Sequence, residues 1–223
     1  MTDGRHDRRE GPGSLPSFAG RWGLLLAAGA VWWLVRPARR HLPLTPTTLA
    51  DGLGPVVERR FWADIVDAQH SAQETVDHAA DFFPALMPRP LAFVWKVSGR
   101  PGRAVPGDRY AIVLAARLGA TRLQVRGPLR FREQTLRHHP EAGWVEFRAV
   151  PQDVGRARLE IETCTRSSTR MDRLGYLLGA SYVQRRTWEL FLERVAASTG
   201  GRVVGTGHTT EERPYVAGSS GNG

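Results

Sequence analysis

The central part of the chain opens with an alternation of hydrophobic and polar residues that predicts a β-strand over residues 57–67. Val57, Phe61, Ala63 and Ile65 fall on one face of such a strand, because successive side chains point to opposite faces. The spacing of apolar residues changes directly afterwards. A different kind of element is therefore expected to follow.

That next element is predicted to be a helix, since apolar residues now recur every three or four positions. Ser71 and Glu74 have the spacing of a capping box, which satisfies free backbone amides at a helix start. Pro84 and Pro88 mark the end of the helix. The apolar stripe consists of Ala72, Val76, Ala79, Ala80 and Phe83.

Short alternating stretches separated by turn residues then predict an antiparallel meander. The first of these strands begins at Leu91. The next two are expected to meet in a tight hairpin at Gly119 and Ala120. The predicted strands after Leu91 cover residues 110–118, 121–126, 129–137, 144–150 and 156–167.

A long helical pattern covers about residues 169–198, in which apolar residues recur at spacings of three and four. Gly175 and Gly179 lie within it, and a glycine inside a helix costs about 0.5–1 kcal/mol relative to alanine. Close approach of the backbone, a kink or a break into two helices would each explain them. The apolar positions are Leu174, Leu177, Leu178, Trp188, Phe191, Leu192 and Val195.

This order of elements indicates an α+β fold, in which a curved antiparallel sheet wraps around the long C-terminal helix and leaves a space between them. The stretches "GDRYAIVLAARLGATRLQVRGPLRF", "HHPEAGWVEFR" and "DRLGYLLGASYVQRRTWELFLERV" carry a resemblance to the START-like (SRPBCC) helix-grip superfamily over about residues 57–201. More specifically, the chain resembles an uncharacterised bacterial family of unknown function within that class. The resemblance implies binding of apolar or amphipathic small molecules, with lyase or cyclase activity in some branches, and it supplies no catalytic residues.

The helix-grip domain is accordingly assigned to residues 56–201. Residues 37–55 are rich in proline, threonine and glycine, which predicts a linker. The charged leader 1–17 and the apolar-poor tail 202–223 are both expected to be disordered.

Residues 18–36 are predicted to form a hydrophobic, transmembrane helix. About 14 consecutive residues, 22–35, are apolar or glycine, and extension through Phe18 brings the run close to the ~20 residues of a membrane span. An interfacial helix, a signal peptide and a core helix of the fold remain alternatives. The residues assigned to the membrane are Trp22, Leu24, Leu25, Leu26, Val31, Trp32, Trp33, Leu34 and Val35.

The orientation of this segment is nearly balanced by the positive-inside rule, because arginines precede and follow it. Arg36, Arg39 and Arg40 directly after the span, together with an unpaired cysteine, favour a cytoplasmic main domain. The sequence thus predicts a single-pass membrane protein.

The charge and the cysteine content limit which partners and which cysteine-based sites the sequence supports. The net charge of +9 comes almost entirely from arginine, with Lys96 as the one lysine, so codon bias explains it as well as selection does. The arginines are dispersed and no nucleic-acid motif accompanies them, which makes nucleic acid an unexpected partner. Cys164 is the sole cysteine, which excludes an internal disulfide and a thiolate metal cluster.

No motif in the sequence predicts catalytic residues, a metal or a cofactor. His138 and His139 lack a third ligand at a suitable spacing and are expected at a solvated hairpin tip. Aromatic residues and a few polar ones are the best candidates for a pocket lining, because such pockets are mainly apolar. The residues selected as ligand-binding are Trp95, Tyr110, Arg126, Trp144, Glu146, Tyr182 and Trp188.

Three functions follow from these observations. The first is a membrane-anchored, non-enzymatic domain that binds a hydrophobic or lipid-like small molecule. The second is an enzyme of the cyclase or hydratase type that uses pocket carboxylates for acid–base work. The third is a protein-interaction module whose interior is filled by side chains.

Overall fold

The computed structural model of the chain describes residues 44–114 and 117–217. The predicted membrane segment 18–36 and the leader 1–17 lie outside these residues. Within the described part, no helix has both the length and the apolar character needed to cross a bilayer.

Strands and helices follow one another in nearly the predicted order. The strands are β1 (Leu53–Val66), β2 (Ala92–Ser98), β3 (Arg109–Leu114), β4 (Arg117–Gly127), β5 (Arg130–Thr135), β6 (Glu141–Pro151), β7 (Arg156–Ser167) and β8 (Arg202–Arg213). The helices are α1 (Ala72–Asp81), α2 (Phe83–Leu86), α3 (Arg170–Gly175) and α4 (Ser181–Ser198), with a π-helical turn, Tyr176–Ala180, between the last two.

All eight strands form one curved antiparallel sheet in the order β2-β3-β4-β5-β6-β7-β1-β8. The meander β2 to β7 is extended by β1, which pairs with β7 so that Phe61 lies opposite Ile161. Helix α4 packs against the sheet, and the predicted α+β architecture of a sheet around a long helix is confirmed.

The alternation predicted for β1 is present in the burial of its side chains. Phe61, Ala63 and Ile65 are buried on the helix-facing side, whereas Trp62 and Asp64 are half-buried on the other face. The burial of one face also fixes the register of the strand. A shift of one residue would move its apolar side chains to the opposite face.

The capping box of α1 is also confirmed. The Ser71 hydroxyl accepts a hydrogen bond from the Glu74 amide at 3.2 Å, and the Glu74 carboxyl accepts one from the Ser71 amide at 2.8 Å. Pro84 does not end the helical region but lies in the first turn of α2, where its missing amide is not needed.

An aromatic cluster fills most of the space between α4 and the sheet. Phe83 lies at its centre, with its ring centroid 5.5–6.2 Å from those of Tyr110, Phe131, Phe147 and Phe191, all in edge-on geometry. Only about 20 Å³ of space remains beside the later turns of α4. The open space predicted beneath the long helix is therefore displaced toward the beginning of that helix.

The long C-terminal helix is interrupted rather than continuous. Gly179, inside the π-helical turn, has a φ of 127°, which breaks the helical path between α3 and α4. Thr169 caps α3 by accepting a hydrogen bond from the Asp172 amide at 3.1 Å. Of the explanations that the sequence left open for the two glycines, the break is correct for Gly179.

The two glycines give a matched pair of substitutions with opposite expected effects. Gly175→Ala is expected to raise the free energy of unfolding by about 0.5–1 kcal/mol, because Gly175 has α-helical dihedrals and an added Cβ meets nothing within 4 Å. Gly179→Ala is expected to lower it by about 1–2 kcal/mol, because a φ of 127° is strained for any residue with a Cβ. Denaturant titration of both variants checks this, and effects of the same sign would contradict the break.

The hairpin predicted at Gly119 and Ala120 is wrong in its position. Both residues lie inside β4, opposite Ile112 and Ala111, and the chain reverses between Leu114 and Arg117. The glycine serves a close contact instead of a turn, since a Cβ on Gly119 would lie 2.4 Å from the His139 ring.

The prediction of a disordered tail over residues 202–223 is wrong for residues 202–213. These residues form β8, which pairs with β1 along its whole length from Val56 to Val66. The tail is ordered because β1 would otherwise be the edge strand of the sheet. Its free amides and carbonyls form hydrogen bonds with β8 instead. Gly207 permits this pairing, because a Cβ there would lie 2.2 Å from the Trp62 ring.

The prediction of a linker over residues 37–55 also fails for its described part, residues 44–55. Pro46 forms a β-bridge with Leu136, and the Thr47 amide donates a hydrogen bond to the Thr135 carbonyl at 2.9 Å. The proline and threonine content suggested a linker, but these residues are held by backbone pairing to the sheet. The folded domain accordingly extends beyond both ends of residues 56–201.

Candidate functional site

A cavity of about 360 Å³ lies between the α3–α4 segment and the adjacent end of the sheet. Its size falls within the range of about 300–1,000 Å³ that is typical of small-molecule pockets. Apolar walls come from Leu114, Pro140, Met171, Ala180 and Val183. Polar side chains also line it, among them His139, Glu141 and Gln184.

The α3 wall of this cavity is tied to the sheet by an ion pair. Arg117 at the start of β4 lies 2.6 Å from the Asp172 carboxyl, which is almost fully buried. Both residues line the cavity. This ion pair holds the first turn of α3 against the sheet. Among the described residues, no ion pair involves the π-helical turn that follows, Tyr176–Ala180.

The cavity continues inward as a narrow pocket of about 40 Å³. Leu114, His139, Glu141 and Gln184 line both spaces and form the neck between them. A volume of this size accommodates one water molecule or one small polar group of a ligand. The two spaces together therefore suit a molecule with an apolar body and a compact polar end.

Glu133 lies at the end of the inner pocket. It faces inward because β5 alternates, with Phe131, Glu133 and Thr135 all buried on the helix-facing side. Its side chain is 2% exposed, and its Oε2 atom has no hydrogen-bond partner among the described residues. An unsatisfied buried oxygen of this kind costs stability, so it requires an explanation.

The surroundings of Glu133 favour its neutral form. Burial raises the pKa of this carboxyl to about 8; the Thr121 hydroxyl opposes the shift and the Asp108 carboxyl adds to it. Glu133 is consequently protonated at neutral pH and can donate a hydrogen bond to a carbonyl or hydroxyl oxygen in the pocket.

His139 occupies the neck and not the solvated hairpin tip that the sequence suggested. It is 9% exposed, because Gly119 leaves room for its ring and His138 adopts a φ of 71° in the preceding turn. Its Nδ1 atom lies 2.9 Å from the Glu141 carbonyl oxygen and 3.1 Å from the Glu141 amide. Burial lowers the pKa of the imidazole, against an opposing effect of Glu141, and keeps it neutral.

A chain of polar side chains crosses the neck. Gln184 donates a hydrogen bond to the Glu141 carboxyl at 2.8 Å, and the Thr165 hydroxyl lies 3.3 Å from the other oxygen of that carboxyl. On its far side Gln184 accepts a hydrogen bond from Arg59. The neck is thus held in one arrangement by residues of β1, β6, β7 and α4.

Two of the seven residues selected from the sequence border the inner pocket, namely Trp144 and Trp188. Trp188 also packs edge-on against Phe147 at 5.6 Å between ring centroids. The Arg132 guanidinium lies 4.2 Å from the centroid of the Trp144 ring.

The other five are placed elsewhere. Tyr110 belongs to the aromatic core, where burial raises the pKa of its phenol above the ordinary value. Arg126 pairs with two carboxylates of α1, and Glu146 accepts a hydrogen bond from Arg132 at 2.9 Å. Trp95 is half-buried on β2, and Tyr182 is 62% exposed at the start of α4.

Sequence reasoning missed Glu133, His139, Glu141 and Gln184. A signal existed for Glu133, because it occupies an inward position in the alternation of β5 between Phe131 and Thr135. The other three are brought together by β6, α4 and the turn before β6, and no local pattern indicates that meeting.

Two other kinds of chemistry receive no support from the described residues. No group of His, Cys, Asp or Glu side chains in residues 44–114 and 117–217 is arranged to hold a metal ion. Cys164 is a poor nucleophile, because burial and the nearby Glu58 carboxyl raise the pKa of its thiol to about 11.

Comparison with known proteins gives only structural likenesses. No family model and no curated protein matches the chain. The hypothetical protein jhp0584 from Helicobacter pylori is 10% identical with a TM-score of 0.46, covering 62% of this chain and 87% of its own. Protein CV1439 from Chromobacterium violaceum is 11% identical with a TM-score of 0.42, covering 63% and 96%.

A third likeness is the di-domain ARO/CYC StfQ from the steffimycin biosynthetic pathway. It is 16% identical with a TM-score of 0.47, and the match covers 68% of this chain and 52% of that one. Scores and identities at this level carry no statement about function. The sheet, the long helix and the cavity beside it define this chain as a domain of helix-grip architecture.

Proposed function

We propose that the domain binds a small, mainly apolar molecule in the cavity beside α3 and α4 and does so without transforming it. The observation that carries this proposal is the cavity of about 360 Å³, whose walls are mainly apolar and whose polar side chains include those of the neck and the Arg117–Asp172 ion pair. Burial of a ligand against Leu114, Met171 and Val183 contributes about 25 cal/mol per Å² of apolar surface.

The inner pocket defines the polar end of such a ligand. Protonated Glu133 presents a hydrogen-bond donor in a space that admits one small group. A ligand carbonyl or hydroxyl would satisfy this buried carboxyl, whereas a hydrocarbon end would leave it unpaired. The preferred ligand is therefore amphipathic, not purely hydrocarbon.

Titration of the full chain with N-phenyl-1-naphthylamine, an uncharged apolar fluorophore, tests this function. We expect saturable binding with enhanced fluorescence, displacement by octan-1-ol, and a rise in melting temperature with octan-1-ol, since a ligand of the folded state stabilises it. Linear, non-saturable fluorescence and an unchanged melting temperature would contradict the proposal.

An enzyme of the cyclase or hydratase type is a second candidate, because Glu133, His139 and Glu141 border one pocket. A neutral carboxyl group and a neutral imidazole are suited to donate and accept protons. A ligand recovered chemically changed from the wild type, but unchanged from a Glu133→Gln variant, would favour this candidate over simple binding.

The membrane anchor is a separate part of the proposal and rests on the sequence of residues 18–36. We propose that this segment holds a cytoplasmic domain beside a bilayer, from which an apolar ligand would be drawn. Alkaline extraction of membranes tests it: the full chain is expected in the membrane fraction, and a chain lacking residues 18–36 in the soluble fraction. Release of both forms would contradict the anchor.

A further inference from the structure

A second groove, of about 270 Å³, lies on the other side of Tyr176 from the cavity. It is formed by the first turn of α4 together with the helix-facing side of β1 and β8. Its lining includes Arg59, Tyr176, Tyr182, Arg185 and His208, and no acidic side chain is among the residues that line it.

Arg59 is the unusual member of this groove. It points inward from β1 and is 4% exposed. Its Nη1 atom donates a hydrogen bond to Gln184, but its Nη2 atom has no hydrogen-bond partner among the described residues. In the same part of the chain, no carboxyl oxygen lies within ion-pairing distance of Arg59, although 16 ion pairs join other residues.

A buried guanidinium without a counter-ion is costly, because the charge has lost its hydration and gained no opposite charge. The Tyr176 ring offsets part of this cost, with its centroid 4.6 Å from the Arg59 Cζ atom. A cation–π contact leaves the second NH₂ group unsatisfied. The missing partner that would complete this site is an anion with two oxygens, which an arginine binds in a bidentate fashion.

Tyr176 stands between Arg59 and the cavity. It lines both the cavity and the groove; Gly175 precedes it, and Gly179, with its φ of 127°, follows three residues on. A second guanidinium, that of Arg173, has its Cζ atom 5.4 Å from the centroid of the same ring. Of the described residues, Tyr176 is the one that lines both spaces, and its ring also contacts Arg59.

We propose that Arg59 anchors the anionic group, a carboxylate or a phosphate, of an amphipathic ligand whose apolar part occupies the cavity. This inference rests on the proposed function and names the class of ligand: an acid with an apolar chain. Gln184 connects the two ends of the site, since it bonds both Arg59 and the Glu141 carboxyl at the neck. Tyr176 acts as the movable wall over the anchor.

Displacement of N-phenyl-1-naphthylamine from the full chain by octanoate, octyl phosphate and octan-1-ol tests the anchor. The three compounds share one chain length and differ in the head group. We expect the wild type to bind at least one of the two anions about tenfold more tightly than the alcohol. The two anions distinguish a carboxylate from a phosphate, and preference for either supports the anchor.

Arg59→Met is expected to abolish the preference for the anion, so that octanoate and octyl phosphate bind no more tightly than octan-1-ol to the same variant. Arg60→Met is the matched control, because Arg60 is its neighbour in sequence, carries the same charge and is half-exposed on the opposite face of β1. Arg59→Lys, which keeps the charge but has no forked pair of donors, is expected to retain a reduced preference.

The possible failures are distinguishable. In one outcome, octan-1-ol displaces the probe from the wild type and neither anion binds more tightly than the alcohol. The anchor is then overturned and the proposed function stands. This outcome is measured on the wild type and does not require any variant to fold. If Arg59→Met folds and keeps the preference, the anchor is likewise overturned. If none of the three compounds displaces the probe, the proposed function and the anchor are both overturned.

Discussion

Replacement of Arg126 by methionine is expected to lower the free energy of unfolding by about 2–4 kcal/mol. Arg126 joins β4 to α1: its guanidinium lies 2.6 Å from Asp77 and 2.5 Å from Asp81, and it also donates to the Ala104 carbonyl. The arginine side chain is only 10% exposed. Burial acts to raise the pKa of Asp81, and removal of Arg126 takes away the strongest of the interactions that lower it.

Chemical denaturation of Arg126→Met against Arg173→Met measures this effect. Arg173 pairs with Glu212 at 3.3 Å, but its side chain is 25% exposed and this is its one ion pair among the described residues, so its loss is expected to change stability by less than about 1 kcal/mol. Equal effects of the two substitutions would show that α1 is not held by the Arg126 pairs. This result matters for the site because α1 leads directly into Phe83, the centre of the aromatic cluster.

The second large effect is a pH dependence of stability that belongs to Glu133. The pKa of this carboxyl is about 8 in the folded protein, against an ordinary value of 4.5. Between these values the folded state keeps a proton that the unfolded chain has released. Stability therefore falls as pH rises through this window, by about 1.4 kcal/mol per pH unit, and levels off above pH 8.

Glu133→Gln isolates this effect because it keeps the shape of the side chain and removes its titration. We expect the wild type to lose roughly 1–2 kcal/mol of stability between pH 6.5 and pH 8, and the variant to lose much less. The comparison starts at pH 6.5 because burial lowers the pKa of His139. Below pH 6.5 the unfolded chain binds a proton at this imidazole that the folded state does not, so the contribution of His139 to stability rises with pH there and opposes that of Glu133. Parallel pH profiles for the two proteins would mean that Glu133 is not held neutral by burial.

The strands and the first helix could be predicted because their signals are local. The alternation of Phe61, Ala63 and Ile65 predicts a strand with one buried face. Ser71 and Glu74 are three residues apart, and that spacing alone predicts the start of a helix. These features need no knowledge of distant residues.

The errors arose where a distant contact decided the local structure. Gly119 resembles a turn residue, yet it lies in β4 because the His139 ring needs the space that a side chain would fill. The tail that forms β8 has little apolar content, and its order depends on the free edge of β1, about 140 residues earlier.

The candidate site was predicted only in outline. Aromatic residues were expected to line a pocket under the long helix, but Phe83 and its neighbours fill that space instead. The cavity opens where Gly179 breaks the helix. Its polar groups His139, Glu141 and Gln184 come from a turn, from β6 and from α4, and no local pattern indicates that they meet. The burial of Arg59 had a local signal, since it lies between Val57 and Phe61 in the alternation of β1, but its contacts with Tyr176 and Gln184 are distant in sequence.

The most direct test of the account is probe binding by a variant in which the cavity is filled. Val183→Trp adds a large side chain to the cavity wall, whereas Val154→Trp adds the same side chain at a fully exposed turn. We predict that Val183→Trp binds N-phenyl-1-naphthylamine at least about tenfold more weakly than the wild type, with Val154→Trp unchanged. Undiminished probe binding by a folded Val183→Trp protein would contradict the claim that this cavity is the ligand site.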